Sequence, residues 1–196
     1  MKKRLIFALV AFGIVMVYFV ISLCIAFVNY KNNTKVWDEL NYKGLIYNQH
    51  NYDDIAFGVG DMSKNGCGAS AIYNILRLDG KYVALPEIIK KLDINGENFM
   101  GLLGTHPYAI KSVLSQYGYK VKYHFNSDNF EEKAKNSRHS IFVYIKKNGG
   151  HYQLMTDYNE ESNEFQLYNS TKRSDMQSLI ENNDKAIKFL ITVNKK

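Results

Sequence analysis

A chain of 196 residues, 46% of them apolar, can bury one core of ordinary size beside a membrane segment but has no room for a second folded domain. Its formal charge of +6 falls to +3 once Lys2, Lys3 and Arg4 are set apart, since 22 basic and 19 acidic residues remain. That excess is too small and too dispersed for a nucleic-acid partner. The two cysteines, Cys24 in an apolar run and Cys67 far downstream, exclude a disulfide scaffold.

In chain order, residues 1–4 form a basic end and 5–28 an uncharged run of 24 residues. At 1.5 Å per residue that run is long enough for a hydrocarbon layer of about 30 Å. It is too long for the apolar part of a cleaved signal peptide, and Ile25-Ala26-Phe27-Val28-Asn29 offers no small-x-small cleavage site. Leu23 stands before Cys24 where a lipoprotein signal needs a small residue. The run is read as an uncleaved transmembrane anchor with the basic end cytoplasmic and everything after it extracytoplasmic. Residues 29–41 are polar and predict a stalk, and residues 42–196 predict the domain.

Within the domain, Leu45-Ile46-Tyr47 suggests an edge strand and 51–66, rich in Asp, Asn and Gly, a long loop. Helical periodicity follows Cys67 through Ala71, Ile72, Ile75 and Leu76 and stops at Gly80. Leu85-Pro86-Glu87 opens a second helix and Pro107 a third, which ends at Gly118. The period then changes. Residues 119–125, 140–145, 151–158, 165–168 and 187–193 read as strands, with Asn159–Asn163 as a hairpin turn. Helices followed by strands predict an α+β architecture.

The run Asn65-Gly66-Cys67-Gly68-Ala69-Ser70 carries the most chemistry. A thiol in the first turn of a helix feels the positive end of the helix dipole, which predicts a pKa below the free value of about 8.5. The flanking glycines suggest an exposed sulfur, whereas the bland alternative is a buried cysteine acting as a small hydrophobe. Gly149-Gly150-His151 opens a strand and another ends at Tyr168-Asn169, so a base and an orienting amide follow the thiol in the order used by thiol proteases. His106 is a lesser candidate for the cleft. His50, His124 and His139 read as surface residues without metal-ligand spacing, so neither a metal nor a cofactor is expected. Asp61 stands six residues before Cys67 but cannot donate a hydrogen bond when ionised. Asp157 lies about 20 Å along the strand from His151 at 3.3 Å per residue.

Taken together, Tyr47-Asn48-Gln49, Gly58, Gly66-Cys67-Gly68-Ala69-Ser70, Gly101 to Pro107, Gly118-Tyr119, Gly150-His151-Tyr152 and Tyr168-Asn169 resemble the papain-like cysteine peptidases related to the bacteriocin-processing, double-glycine-cleaving enzymes. The resemblance spans roughly residues 45–169 and implies a papain-like α+β fold with a helical first half and an antiparallel sheet. It implies Cys67 as nucleophile, His151 as general base, Asn169 as the group orienting the imidazole, and Gln49 with the Cys67 N–H as oxyanion donors. The chain departs from the family in having Ala69-Ser70 for the usual Pro-Thr, and Asn169-Ser170 for the usual Asp-Pro. The family's transporter helices and nucleotide-binding domain are not in the sequence.

The expectation is a membrane-anchored extracytoplasmic cysteine peptidase acting through an acyl-enzyme. Its substrate is an exported leader peptide, a cell-surface protein or a peptidoglycan stem peptide, which the sequence does not rank. The rival expectation is a papain-like module of the cell envelope that binds a peptide without turnover, in immunity or signalling.

Overall fold

The computed structural model describes residues 2–42, 44–95, 101, 104–147, 149–170 and 173–196. Helix α1, Lys2–Leu40, runs unbroken for 39 residues. Its first five turns are exposed all round, and it is long and apolar enough to cross a membrane. The polar stretch expected as a stalk is helical through Leu40 and belongs to the fold. Asn33 and Trp37 are buried on it, and Trp37 packs edge-on against Tyr42 and Tyr73. The Asn33 amide pairs with both backbone groups of Ala56 at 2.8 Å, as a neighbouring strand would.

The segment expected as one long loop is more ordered than its composition suggests. It holds strands β1 (Ala56–Phe57) and β2 (Gly60–Asp61), an antiparallel pair turned by Gly58 at φ 57°, and a single helical turn, α2 (Met62–Asn65). Asp61 caps α2, accepting from Lys64 N–H at 3.0 Å. Residues 45–47 form no strand. Ile46 instead hydrogen-bonds the buried Asn74 amide through both its N–H and its carbonyl at 2.8 Å.

Helix α3, Cys67–Leu78, is the axis of the molecule, with its first ten residues all buried. Helices α4 (Leu85–Asn95) and α5 (Pro107–Gln116) pack beside it with the predicted starts. Gly80 at φ 73° and Gly118 at φ 87° turn the chain after α3 and α5 in the left-handed region that favours glycine.

The second half is a six-stranded antiparallel sheet in the order β3-β8-β4-β5-β6-β7. Its strands are β3 (Tyr119–His124), β4 (His139–Lys146), β5 (Gly149–Asn159), β6 (Glu164–Tyr168), β7 (Arg173–Ser174) and β8 (Ile187–Lys195). The period-2 alternation covers two faces. Val121, Ile141, Val143, Tyr152 and Leu154 face the helical layer, while Phe142, Met155, Leu167 and Leu190 cover a second, smaller core under α6 (Phe130–Lys135) and α7 (Met176–Glu181). These two short helices, of six residues each, were not expected. The whole is the predicted mixture of helices and antiparallel sheet.

Candidate active site

Cys67 is the first residue of α3, and the glycines beside it serve approach rather than exposure. A Cβ on Gly68 would stand 2.6 Å from Thr105 Oγ1, and one on Gly66 would overlap the Met62 side chain. Thr105 and α2 therefore close in on the helix start, and Cys67 is only 7% exposed. This corrects the expected thiolate. Burial pushes the Cys67 thiol up, against the opposing pull of the backbone N–H groups of Tyr152, Gly68 and Cys67 itself. Desolvation of the anion outweighs the helix dipole here.

Those N–H groups locate the sulfur. It lies against the backbone of Tyr152, the residue after His151, where β5 has β4 on one side only, because β6 begins pairing at Leu154. The Tyr152 side chain points into the helical layer and its hydroxyl donates to the Thr105 carbonyl at 2.7 Å. His151 takes the other face of the strand, opposite Tyr144 on β4, with ring centroids 5.6 Å apart. The Tyr144 hydroxyl also feels the charge of Cys67, so Tyr144 lies near both groups. Burial lowers the His151 pKa, a hydrogen bond with the Gln153 side chain pulls it up, and nearby His50 lowers it further. Burial thus disfavours the charged form of both the Cys67 thiol and the His151 imidazole.

Gln153 was not expected in the site. Two residues beyond His151 it shares the same strand face, is itself buried, and donates its amide N–H to the Tyr168 carbonyl. Its signal in the sequence was only that alternation. Asn169, expected against His151, gives both ends of its amide to Gln49. Its Oδ1 accepts from the Gln49 N–H at 2.8 Å and its Nδ2 donates to Gln49 Oε1. Register explains this: Tyr168 lies opposite Leu154, so Asn169, in the left-handed region at φ 63°, stands across from Gln153 rather than His151. Gln49 Nε2 donates to the Ser63 carbonyl at 3.0 Å, and this loop brings His50 near His151.

A cleft of about 470 Å³ opens at the sulfur. Glycines 104, 149 and 150 form its walls, Thr105 and Pro107 line one side, and Lys64, Lys146 and Lys147 stand at its rim. Residues 102 and 103 of the expected 101–107 segment lie outside the described residues. His106 caps α5, accepting from Tyr108 N–H at 3.2 Å, and is stacked on Tyr108. Asp61 is occupied at the start of α2, while Asn65 lines the cleft. His139, expected at the surface, is buried with Nε2 3.3 Å from Asp79. No group of three or more His, Cys, Asp or Glu suited to a metal ion occurs among the described residues.

No family model and no curated protein sequence matches the chain. Solved structures do resemble it. The peptidase domain of Streptococcus ComA, a bifunctional ABC transporter involved in a quorum-sensing pathway, superposes with a TM-score of 0.50 at 10% identity, covering 66% of this chain and 91% of that one. A double glycine motif protease from an AMS/PCAT transporter, in complex with the leader peptide, gives 0.48 at 13% identity over 66% and 84% of the two chains. The peptidase C39-like domain of a toxin secretion ATP-binding protein from Vibrio parahaemolyticus gives 0.46 at 18% identity over 68% and 98%. The chain therefore has a papain-like α+β fold, as the ComA peptidase domain does, preceded by one long apolar helix.

Proposed function

We propose that this protein is a membrane-anchored, extracytoplasmic cysteine peptidase that cleaves a peptide bond through a Cys67 acyl-enzyme. The observation that carries the reading is the seat of the Cys67 sulfur at the head of α3, against the backbone next to His151, at the mouth of a glycine-walled cleft. His151 takes the thiol proton as the sulfur attacks the carbonyl, then returns it to the leaving amine. Because burial disfavours both the thiolate and the imidazolium, proton transfer accompanies substrate binding and attack. The oxyanion falls to the Cys67 N–H and the Gln49 amide, whose Nε2 carries a second N–H beside the one bonded to Ser63. Gln153 holds the imidazole, and Asn169 contributes by fixing Gln49. Water then attacks the thioester.

The anchor reading rests on the uncharged run 5–28 behind three cationic residues, a pattern that supports an outer domain. The resemblance to double-glycine-cleaving enzymes makes a peptide containing two consecutive glycines the first probe. Incubating it with the full chain and with Cys67→Ala tests the proposal. Cleavage by the parent and retention of intact peptide by the variant support it; intact peptide retained by both rejects it. That second result belongs to the rival reading, a peptide-binding envelope module without turnover, which the burial of Cys67 and its raised pKa favour.

A further inference from the structure

The outer turns of α1 are part of the domain's own core, and the strand pair tied to them leads directly into the helix of the nucleophile. Contacts begin within the last two turns of the apolar run, so the domain reaches down to the outer edge of the bilayer: Ser22, Leu23 and Ile25 are half-buried and Ala26 is fully buried. Just above, the Lys90 ammonium of α4 sits 4.7 and 4.4 Å from the ring centres of Phe27 and Tyr30. Asn29 Nδ2 donates to the Gly58 carbonyl at 2.7 Å and lies 3.4 Å from Asp93 Oδ2. Asn33 and Trp37 continue the same seam through the next two turns. No hinge interrupts α1 between the apolar run and this seam, since the helix is continuous from Lys2 to Leu40.

The height of the thiol above the membrane follows from chain reach. Gly58 is pinned beside Asn29, the first residue past the apolar run, and Cys67 comes nine residues later. Four of those residues are in α2 and advance about 6 Å, and the others span at most about 17 Å. The sulfur therefore lies within about 25 Å of the level of Asn29.

We infer that α1 docks the domain rigidly on the bilayer, and that the substrate is a peptide tethered to or emerging from that same membrane, with its scissile bond within about 25 Å of the surface. This rests on the anchored-peptidase reading. It selects among the substrates the sequence left unranked: a membrane-held precursor fits, and a stem peptide deep in a thick wall does not. Tethering also raises the effective substrate concentration in a cleft held at one height.

The test places the full chain in phospholipid vesicles with one double-glycine peptide offered three ways: free, or lipid-anchored through polyproline spacers of 4 or 14 residues, about 12 or 43 Å at 3.1 Å per residue. A second protein carries twelve Gly-Ser residues inserted after Val28. The parent is expected to cleave the near peptide at least tenfold faster than the far one, the insertion to bring the two within about threefold, and both proteins to cleave the free peptide alike. Equal cleavage of near and far peptides by the parent overturns the inference. In parallel, a dye on Lys64→Cys, in a chain with Cys24→Ala and Cys67→Ala, reports its height by energy transfer to acceptor lipids. A single height below about 30 Å is expected, and a height above about 50 Å or a broad distribution overturns the docking. If the free peptide stays whole, the peptidase reading and the substrate claim fall together, while the dye still decides the docking.

Discussion

At the scale of single residues, the site turns on which amide meets His151. Gln153 stabilises the protonated ring, so removing it lowers the His151 pKa further below its ordinary value. In Gln153→Leu the acid limb of kcat/KM against pH is expected to move to lower pH, with turnover down about 10- to 100-fold. Asn169→Ala acts through Gln49, so it is expected to lower kcat by about the same factor while leaving that limb in place. Matching shifts in the two pH profiles would return Asn169 to the imidazole. Iodoacetamide labelling gives a second check. Because burial holds the Cys67 thiol up, its alkylation in the free protein is expected to rise only at or above the ordinary thiol value of about 8.5. A midpoint well below pH 8 would show a resting ion pair instead.

At the scale of elements, α1 makes the sharpest demand. Trp37→Ala removes a buried ring packed on Tyr42, Tyr52 and Tyr73, and is expected to cost about 3–5 kcal/mol in denaturant unfolding of the detergent-solubilised chain. A cost under about 1 kcal/mol would mean that the outer turns only rest on the domain. The sequence announced the helices opening at Cys67, Leu85 and Pro107 because their punctuation is local: proline in a first turn, glycine after a last one. It announced the five long strands because alternation is local too. It did not announce the packing of 29–40, since Asn33 and Trp37 find their partners at Ala56 and Tyr73, contacts no periodicity encodes. Helices α6 and α7 were missed for want of length, and β1 and β2, with two residues each, carry no period. Site residues were legible where a residue type is rare, as with Cys67 and His151. The roles of Gln153 and Asn169 depend on the register of β5 against β6, which the sequence does not print.

At the scale of the whole molecule, the far end of α3 is fastened by a second polar cluster. Burial alone would raise the Asp79 carboxyl, but hydrogen bonds from Tyr119 and Arg138 and the nearby His139 outweigh it and hold the carboxyl below the ordinary carboxylate range. Burial pushes His139 below its ordinary value, against the pull of Asp79. Both folded-state values are depressed, so the unfolded chain binds protons first as pH falls, and both groups remove stability on acidification. Stability is expected to decline below about pH 6.5 as unfolded histidine charges, and again below about pH 4 as Asp79 protonates. Thermal unfolding of His139→Gln should lose part of the first decline; an unchanged pH profile would exonerate His139. On the anchored reading proposed above, the seam between α1 and the domain bears on a different event, shedding from the cell. A cut between Ile21 and Asn29, inside the outer end of the apolar run and through the contacts of Ser22 to Ala26, would leave Asn33 and Trp37 in place, whereas a cut a turn or two further on would strip the core as it freed the chain. Release and destruction are thus separated by about two helical turns, and the sites that allow release lie within the apolar run itself.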